Sequence, residues 1–390
     1  MINNIILILW YGAALLFPLG QIGSITPIPS VHIYFYEVLL ILCTGIFIFT
    51  YRLKPFHNIR SLLLSIPVFF ISLCVSLVLN AHRYSFHNNV VAVLYLLRLI
   101  LYAMWIGYGV FHVRTSRSFI HHIRRTLLML IPLIFLLSYG QYFLYPNLRN
   151  LYYLGWDPHE FRLFGLFFDL PIAGAVFGML GIVIVQTKLV RRLVFRIGYI
   201  MLVLISILLT YARATYVATL AVVFVLIPSS KRLLLGLIFL ACFIGALFLL
   251  PRPGGEGVHL LRVFSVESRL SDDMDAIHIW QKYPILGIGY NHIRPEKMAL
   301  YPDDSGLADS HAGASFHSSF LMILVTGGMI GIVLFIMLLY TLIRRYPKTL
   351  PLIVFLSVLS FFDNVLLQGL VLYCAGVIVL YLIGLSDTLP

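Results

Sequence analysis

Long apolar runs separated by short polar stretches make up most of the chain. Twelve stand apart, at about 2–20, 32–50, 61–80, 90–111, 126–145, 162–186, 194–210, 214–228, 232–250, 317–342, 349–363 and 366–385. A bilayer core of roughly 30 Å takes about 20 apolar residues of helix to cross. Inside lipid, backbone polar groups must be satisfied internally, so the runs predict helices rather than strands. The runs 194–210 and 214–228 are short and nearly continuous, divided only by a tight turn near Arg213. The pattern predicts an all-α integral membrane protein with about twelve transmembrane helices.

One segment differs. Residues 251–316 hold six basic and nine acidic residues, and are too long for a simple connection. Within them Leu270, Met274, Ile277 and Trp280 recur at helical spacing. They predict an amphipathic helix over 269–282, ended by Pro284 and laid over the membrane surface. The chain then divides into a nine-helix transmembrane part (1–250), an outer-face loop with this helix (251–316) and a three-helix transmembrane part (317–390).

Composition excludes several classes. Of 390 residues, 61% are apolar and 11% charged, with a mean hydropathy of +0.98, against about 25% charged in a soluble chain. A soluble enzyme, a disordered chain and a nucleic-acid module are ruled out. The net charge of +12 is a matter of topology. Loops 51–60, 112–125, 187–196, 229–232 and 343–348 carry 3, 4, 4, 2 and 3 basic residues and no acid. Of the acids, only Asp387 falls on that side. The positive-inside rule puts these loops and both termini in the cytoplasm, provided that the turn at Arg213 exists. The first run has no basic residue before it, so a span is expected there rather than a cleaved signal. Cys43, Cys74, Cys242 and Cys374 all lie in apolar runs without ligand spacing and read as small buried hydrophobes.

An ionisable group in lipid is costly, so its position needs a reason. Arg98 stands about eight residues into its run, on the order of 12 Å deep. Either it pairs with a buried acid such as Glu37, or it lines a cavity for an anion. Arg213, in Tyr211-Ala-Arg-Ala-Thr215, is flanked by small residues that leave a ligand room, and a guanidinium suits phosphate oxygens. The bland alternative is an arginine satisfying helix-end carbonyls. Arg269 has Asp273 four residues on, the spacing of a surface ion pair, yet an Arg at a helix start opposes the dipole. His317 opens the tenth run in Phe316-His-Ser-Ser-Phe320; it is either a helix cap or a group suited to take a proton near neutral pH. His292, His311, Asp303, Asp304 and Asp309 match no familiar metal-ligand spacing, so no metal is expected. Pro284-Ile-Leu-Gly-Ile-Gly289 lacks the βαβ context of a nucleotide fingerprint, so its glycines are expected to set a turn.

Taken together, these residues resemble the O-antigen ligase and polymerase superfamily over roughly 160–345. The resemblance is carried by Arg213 at a helix junction among small residues, by Arg269 ahead of the Pro284 to Gly289 turn, and by His317 followed by Gly327, Gly328 and Gly331. Arg162 with Phe164-Gly-Leu-Phe-Phe-Asp169 is similar to a further family segment. Two departures stand out: Ser318 follows the histidine where the family has Asn, and Trp280 lies eleven positions after Arg269 rather than close behind it.

The resemblance implies a GT-C-like glycosyltransferase in the bacterial cytoplasmic membrane, serving lipopolysaccharide or polysaccharide biosynthesis. Its donor would be a glycan on a polyprenyl (undecaprenyl) diphosphate, its acceptor a lipid-anchored group or a glycan, and it would need no cofactor. With no ATP outside that membrane, the energy must reside in the donor's glycosyl–phosphate bond. Cations placed where charge grows on the leaving diphosphate favour the transition state. Arg213, Arg269 and His317 are the expected catalytic residues, and Arg98, Arg162, Gly287 and Gly289 are expected to bind substrate. Partners include membrane lipid and exclude nucleic acid. The polymerase on the same carrier is the nearest alternative. A transporter of lipid-linked glycans would instead show two repeated halves and a midplane site.

Overall fold

The computed structural model describes all residues except 1, 29, 53–59, 155–158, 228, 251–263, 304, 308–310 and 387–390. Each of the twelve apolar runs is a helix. They are α1 (Ile2–Leu16), α2 (Phe35–Tyr51), α3 (Arg60–Asn80), α4 (Phe86–Thr115), α5 (Arg117–Leu144), α6 (Leu170–Gln186), α7 (Leu193–Thr210), α8 (Arg213–Leu226), α9 (Arg232–Leu249), α12 (Ser319–Arg345), α13 (Leu350–Phe362) and α14 (Gly369–Ser386). Between α9 and α12 lie α10 (Phe264–Lys282) and α11 (Ile293–Leu300). Among the described residues, α3, α4, α5, α7, α12 and α14 are long and apolar enough to cross a bilayer, and the other six apolar helices are shorter. Asp304, Asp309 and Asp387, with parts of loops 51–60 and 251–316, lie outside the described residues.

Several of the loops gather at two ends. At the basic end Arg114 Nη2 donates to the Tyr346 hydroxyl (2.6 Å), Arg124 Nη2 to the Leu189 carbonyl (3.0 Å) and Lys348 Nζ to the Leu385 carbonyl (2.7 Å). At the other end, called the loop face here, Gln21 N donates to the Leu166 carbonyl (2.8 Å) and Arg83 pairs with Glu296 (2.9 Å). The turn on which the alternation depends is present: α7 ends at Thr210, Tyr211 adopts a left-handed conformation (φ 53°), and α8 begins at Arg213.

Several boundaries differ from the sequence reading. The stretch 112–125 is almost wholly helical, because α4 and α5 run past their apolar cores and meet at Ser116. Helix α6 starts at Leu170, not near 162. Asp169 accepts the Ile172 N–H at 2.9 Å as its N-cap, and Pro171 sits in the first turn, the position a helix start favours. Residues 24–34 hold a short antiparallel hairpin, β1 (Ser24–Ile28) and β2 (Val31–Tyr34). Cys242 is exposed rather than buried. The stripe of α10 also turns outward. Leu270, Met274 and Ile277 are 57, 62 and 43% exposed, and the face packed on the protein is Ala276 and Ile279.

The long loop does not simply lie over the bundle. Helix α12 breaks at Gly328 (φ 65°, ψ −166°), a conformation essentially reserved for glycine. In an unbroken helix Met329 and Ile330 would donate to Val325 and Thr326. Instead Ile288 N donates to the Val325 carbonyl (2.9 Å) and Gly289 N to that of Thr326 (3.2 Å), while Met329 N and Ile330 N donate to the carbonyls of Pro284 (2.9 Å) and Ile285 (3.2 Å). The turn 284–289 thus supplies both the donors and the acceptors that two of the lost helix bonds leave open. Gly287 (φ 70°) and Gly289 (φ 94°) permit it, since a Cβ on Gly287 would overlap the Val325 carbonyl. From α3, Ser76 Oγ donates to the Thr326 carbonyl (3.0 Å) and Asn80 Nδ2 to that of Gly287 (3.1 Å).

A second anchor lies at the α3–α4 corner. Glu296 accepts from Arg83 Nη2 (2.9 Å) and the Tyr84 hydroxyl (2.7 Å). His292 is buried and stacks on Tyr84 at 4.0 Å, and burial lowers its pKa to about 4.

Gly328→Ala is expected to cost on the order of 2 kcal/mol or more, because its Cβ would overlap Ile285. Gly331→Ala, whose nearest neighbour is 3.6 Å away, should change stability by only tenths; thermal unfolding of the two purified variants compares them. His292 binds its proton less readily folded, at about 4, than unfolded, near 6.5. Its contribution is therefore complete above about pH 6.5 and is lost as pH falls toward 4. Melting curves of His292→Phe should show a shallower loss across that window than wild type.

Candidate active site

Three separate stretches of chain meet at the loop face. The first is the turn before α8. Thr210 and Tyr211 end α7 with carbonyls that have no helical partner, and Arg162 takes both: Nε donates to the Thr210 carbonyl (3.0 Å) and Nη2 to that of Tyr211 (3.1 Å). Arg162 is 5% exposed. Its segment is held in turn by Gln141, whose Oε1 accepts from Phe164 N (3.2 Å) and Gly165 N (3.0 Å). A cation at a helix C-terminus is favourable, and this one fixes the turn that sets Arg213 as the first residue of α8.

The second stretch is α10. Arg269 does not close on Asp273 as the surface pair its spacing allows. Its Nη2 donates to Asp363 Oδ1 at 2.8 Å. Asp363 caps the end of α13 and is buried. Arg213 interacts with the same two groups, repelled by Arg269 and attracted by Asp363. Asp363 therefore pairs with one guanidinium and attracts a second. Burial and the neighbouring Asp272 raise the pKa of Asp273, against the Arg269 charge.

The third stretch leads into α12. His317 is exposed, and its backbone N–H donates to Asp272 Oδ2 at 2.8 Å. Asp272 is one helical turn beyond Arg269. Ser318 Oγ donates to the Ser360 carbonyl (3.1 Å), and Ser319 Oγ accepts from Val365 N (3.0 Å) and Leu366 N (3.2 Å). The histidine segment is thereby stitched to the end of α13, beside Asp363. So Arg213, Arg269 and the backbone of His317 come together around α10 and the α13 terminus.

The remaining candidates lie elsewhere. Arg98 donates from Nε to Glu37 Oε1 at 2.6 Å, the pairing with a buried acid left open from the sequence. That carboxylate also accepts from the Tyr102 hydroxyl (2.6 Å) and Tyr34 N (3.0 Å). Gly287 and Gly289 are occupied with the break in α12. Of the residues raised for a metal, His292 is buried in the Tyr84 corner.

Sequence reasoning missed Asp363. An acid ending an apolar run, in Phe361-Phe-Asp-Asn364, was itself a signal, since an ionisable group at membrane depth calls for a partner. Asp272 and Lys297 were also missed. They sit among many loop charges, and nothing local set them apart.

Residues 171–336 match the family described as O-antigen ligase. The match contains Arg213, Arg269, the 284–289 turn, His317 and Gly328, and stops short of Asp363. No curated protein matches the chain.

Asp363→Asn should lower thermal stability by roughly 1–3 kcal/mol, as expected when one partner of a largely buried pair is removed. The double variant Asp363→Asn/Arg269→Gln should recover part of that loss. Additive losses in this cycle would show that the pair is not coupled.

Proposed function

As residues 171–336 match the family described as O-antigen ligase, we propose that the protein transfers a glycan from a polyprenyl diphosphate carrier to an acceptor at the outer face of the bacterial cytoplasmic membrane. The observation that carries this reading is the Arg269–Asp363 pair within electrostatic reach of Arg213, with the His317 segment anchored alongside through Asp272.

Two like-charged guanidinium groups held close together repel each other unless an anion lies between them. One carboxylate offsets part of that repulsion, and a diphosphate satisfies the rest. Each guanidinium presents a planar fork of donors matched to phosphate oxygens. The charge on the leaving oxygen grows as the bond breaks, so these cations act most strongly in the transition state.

In the proposed step the acceptor hydroxyl oxygen attacks the anomeric carbon. A new glycosidic bond forms and the carbon–oxygen bond to phosphate breaks, its electron pair leaving with the diphosphate. His317 takes the hydroxyl proton. A single displacement inverts the anomeric centre. The arginines supply the cationic charge, so the step requires no metal. Arg162 serves by fixing the turn that presents Arg213, and the 284–289 turn by holding the broken helix that follows His317.

Depth fits a lipid-borne donor. Helices α8 and α13 have 14 and 13 residues, about 20 Å of rise against a hydrocarbon core of roughly 30 Å. Starting from basic loops on the cytoplasmic side, both stop short of the outer boundary. Arg213 and Asp363 then lie just beneath it, near the level a lipid-borne diphosphate reaches. On this orientation both termini are cytoplasmic and the protein crosses the membrane many times.

The deciding experiment incubates reconstituted protein with a carrier-linked glycan and candidate acceptors. Transfer of the glycan whole onto a lipid-anchored acceptor supports the ligase; lengthening of carrier-linked chains assigns the polymerase instead. His317→Ala should reduce turnover at least 100-fold with donor binding retained, and Arg269→Lys at least tenfold if the bidentate fork matters. Activity should persist in a strong chelator. Full activity of His317→Ala would remove the base assignment.

A further inference from the structure

Lys297 is 5% exposed, a rare state for a lysine. It pairs with Asp272, donates to the Ser315 carbonyl at 2.8 Å, and lies 4.5 Å from the centre of the Phe316 ring. Asp272 in turn accepts the backbone N–H of His317 at 2.8 Å. Three consecutive residues, Ser315, Phe316 and His317, are thus each gripped by one member of this ion pair.

Both members sit where they can transmit a position. Asp272 lies three residues beyond Arg269 on α10, about 4.5 Å of helical rise, and Arg269 is fixed to Asp363. Lys297 follows Glu296 on α11, and Glu296 is fixed to Arg83 and Tyr84. One helix therefore carries a guanidinium of the cluster together with the acceptor for the histidine's backbone. The other ties that histidine's segment to the α3–α4 corner.

Stability alone does not account for the pair. Desolvating two charges offsets much of their attraction, and apolar side chains of similar size commonly serve a fold as well or better. What an ion pair supplies and an apolar pair does not is directional contact with particular carbonyl and N–H groups.

We propose that Asp272 and Lys297 are a positioning pair that fixes the His317 backbone relative to Arg269, and so sets the distance between the proton acceptor and the leaving-group clamp. The proposal deepens the glycosyl-transfer reading and rests on it. Neither residue touches the reacting atoms; both act through His317. A displacement of about 1 Å at a reacting group can cost on the order of 100-fold in rate.

The test measures kcat and donor KM in the reconstituted transfer assay for Lys297→Met, Lys297→Arg and the double variant Asp272→Asn/Lys297→Met. The double variant leaves no unpaired charge and is the one expected to keep the fold. Lys297→Met and the double variant should lose about 10- to 100-fold in kcat while donor KM stays within about threefold. Lys297→Arg should restore part of the rate. A double variant that retains donor KM and turns over at the wild-type rate would overturn the proposal, as would a rise in KM that accounts for the whole loss. His317→Ala assayed in parallel separates the two layers. If it is inactive while the double variant is fully active, only the positioning pair fails; if it transfers normally, the base assignment fails and takes the pair with it.

Discussion

A helix interrupted at membrane depth leaves backbone donors and acceptors with no water to satisfy them, and each such group costs several kcal/mol. Helix α12, apolar along most of its length, is interrupted at Gly328, and the turn 284–289 supplies partners for the donors and acceptors of two of the bonds that the break removes. The exchange works only if that turn is threaded against the break in one register, because the glycine contacts on both sides leave no space for a Cβ. Once the register is set, α10 is held at its C-terminal end and α11 at its start. The positions of Arg269, Asp272 and Lys297 follow from it.

Held in this frame, the charged groups at the loop face form an arrangement the chain could not make locally. Arg213 stands on a turn pinned by Arg162, Arg269 on a loop helix, and Asp363 at the end of a short helix. Bringing two arginines together is unfavourable in the absence of an anion. The carboxylate reduces that penalty, pairing with Arg269 and attracting Arg213.

Part of the site was legible from residues alone. Arg213 and His317 stand out because ionisable groups at the ends of apolar runs are costly. Arg269 stands out because the spacing predicts a helix starting there, against the dipole, but α10 begins five residues earlier, at Phe264. The outward stripe of α10 was not. Leu270, Met274 and Ile277 carry the spacing of a packed face, yet Ala276 and Ile279 do the packing. Near lipid, apolar character stops marking the protein core, since hydrocarbon and protein interior are equally welcoming to it. The same limit applies to the glycines of the 284–289 turn. Their need for positive φ is a local property, but the partner that makes them indispensable is a helix break some forty residues away.

The sequence by itself determined that the twelve apolar runs are helices, because apolar length and periodicity act one segment at a time; among the described residues, six of those helices are long and apolar enough to cross a bilayer. That the alternation holds only with a turn near Arg213 was legible in the sequence; that the turn exists came from the structure, where α7 ends at Thr210 and α8 begins at Arg213. Tertiary structure alone decided which charges meet. Arg269 chose Asp363, 94 residues away, over Asp273 in the next turn, and Asp272 took the His317 backbone across 45 residues. Ion pairing follows distance in space and the shielding around each group, and neither quantity exists until the helices have packed.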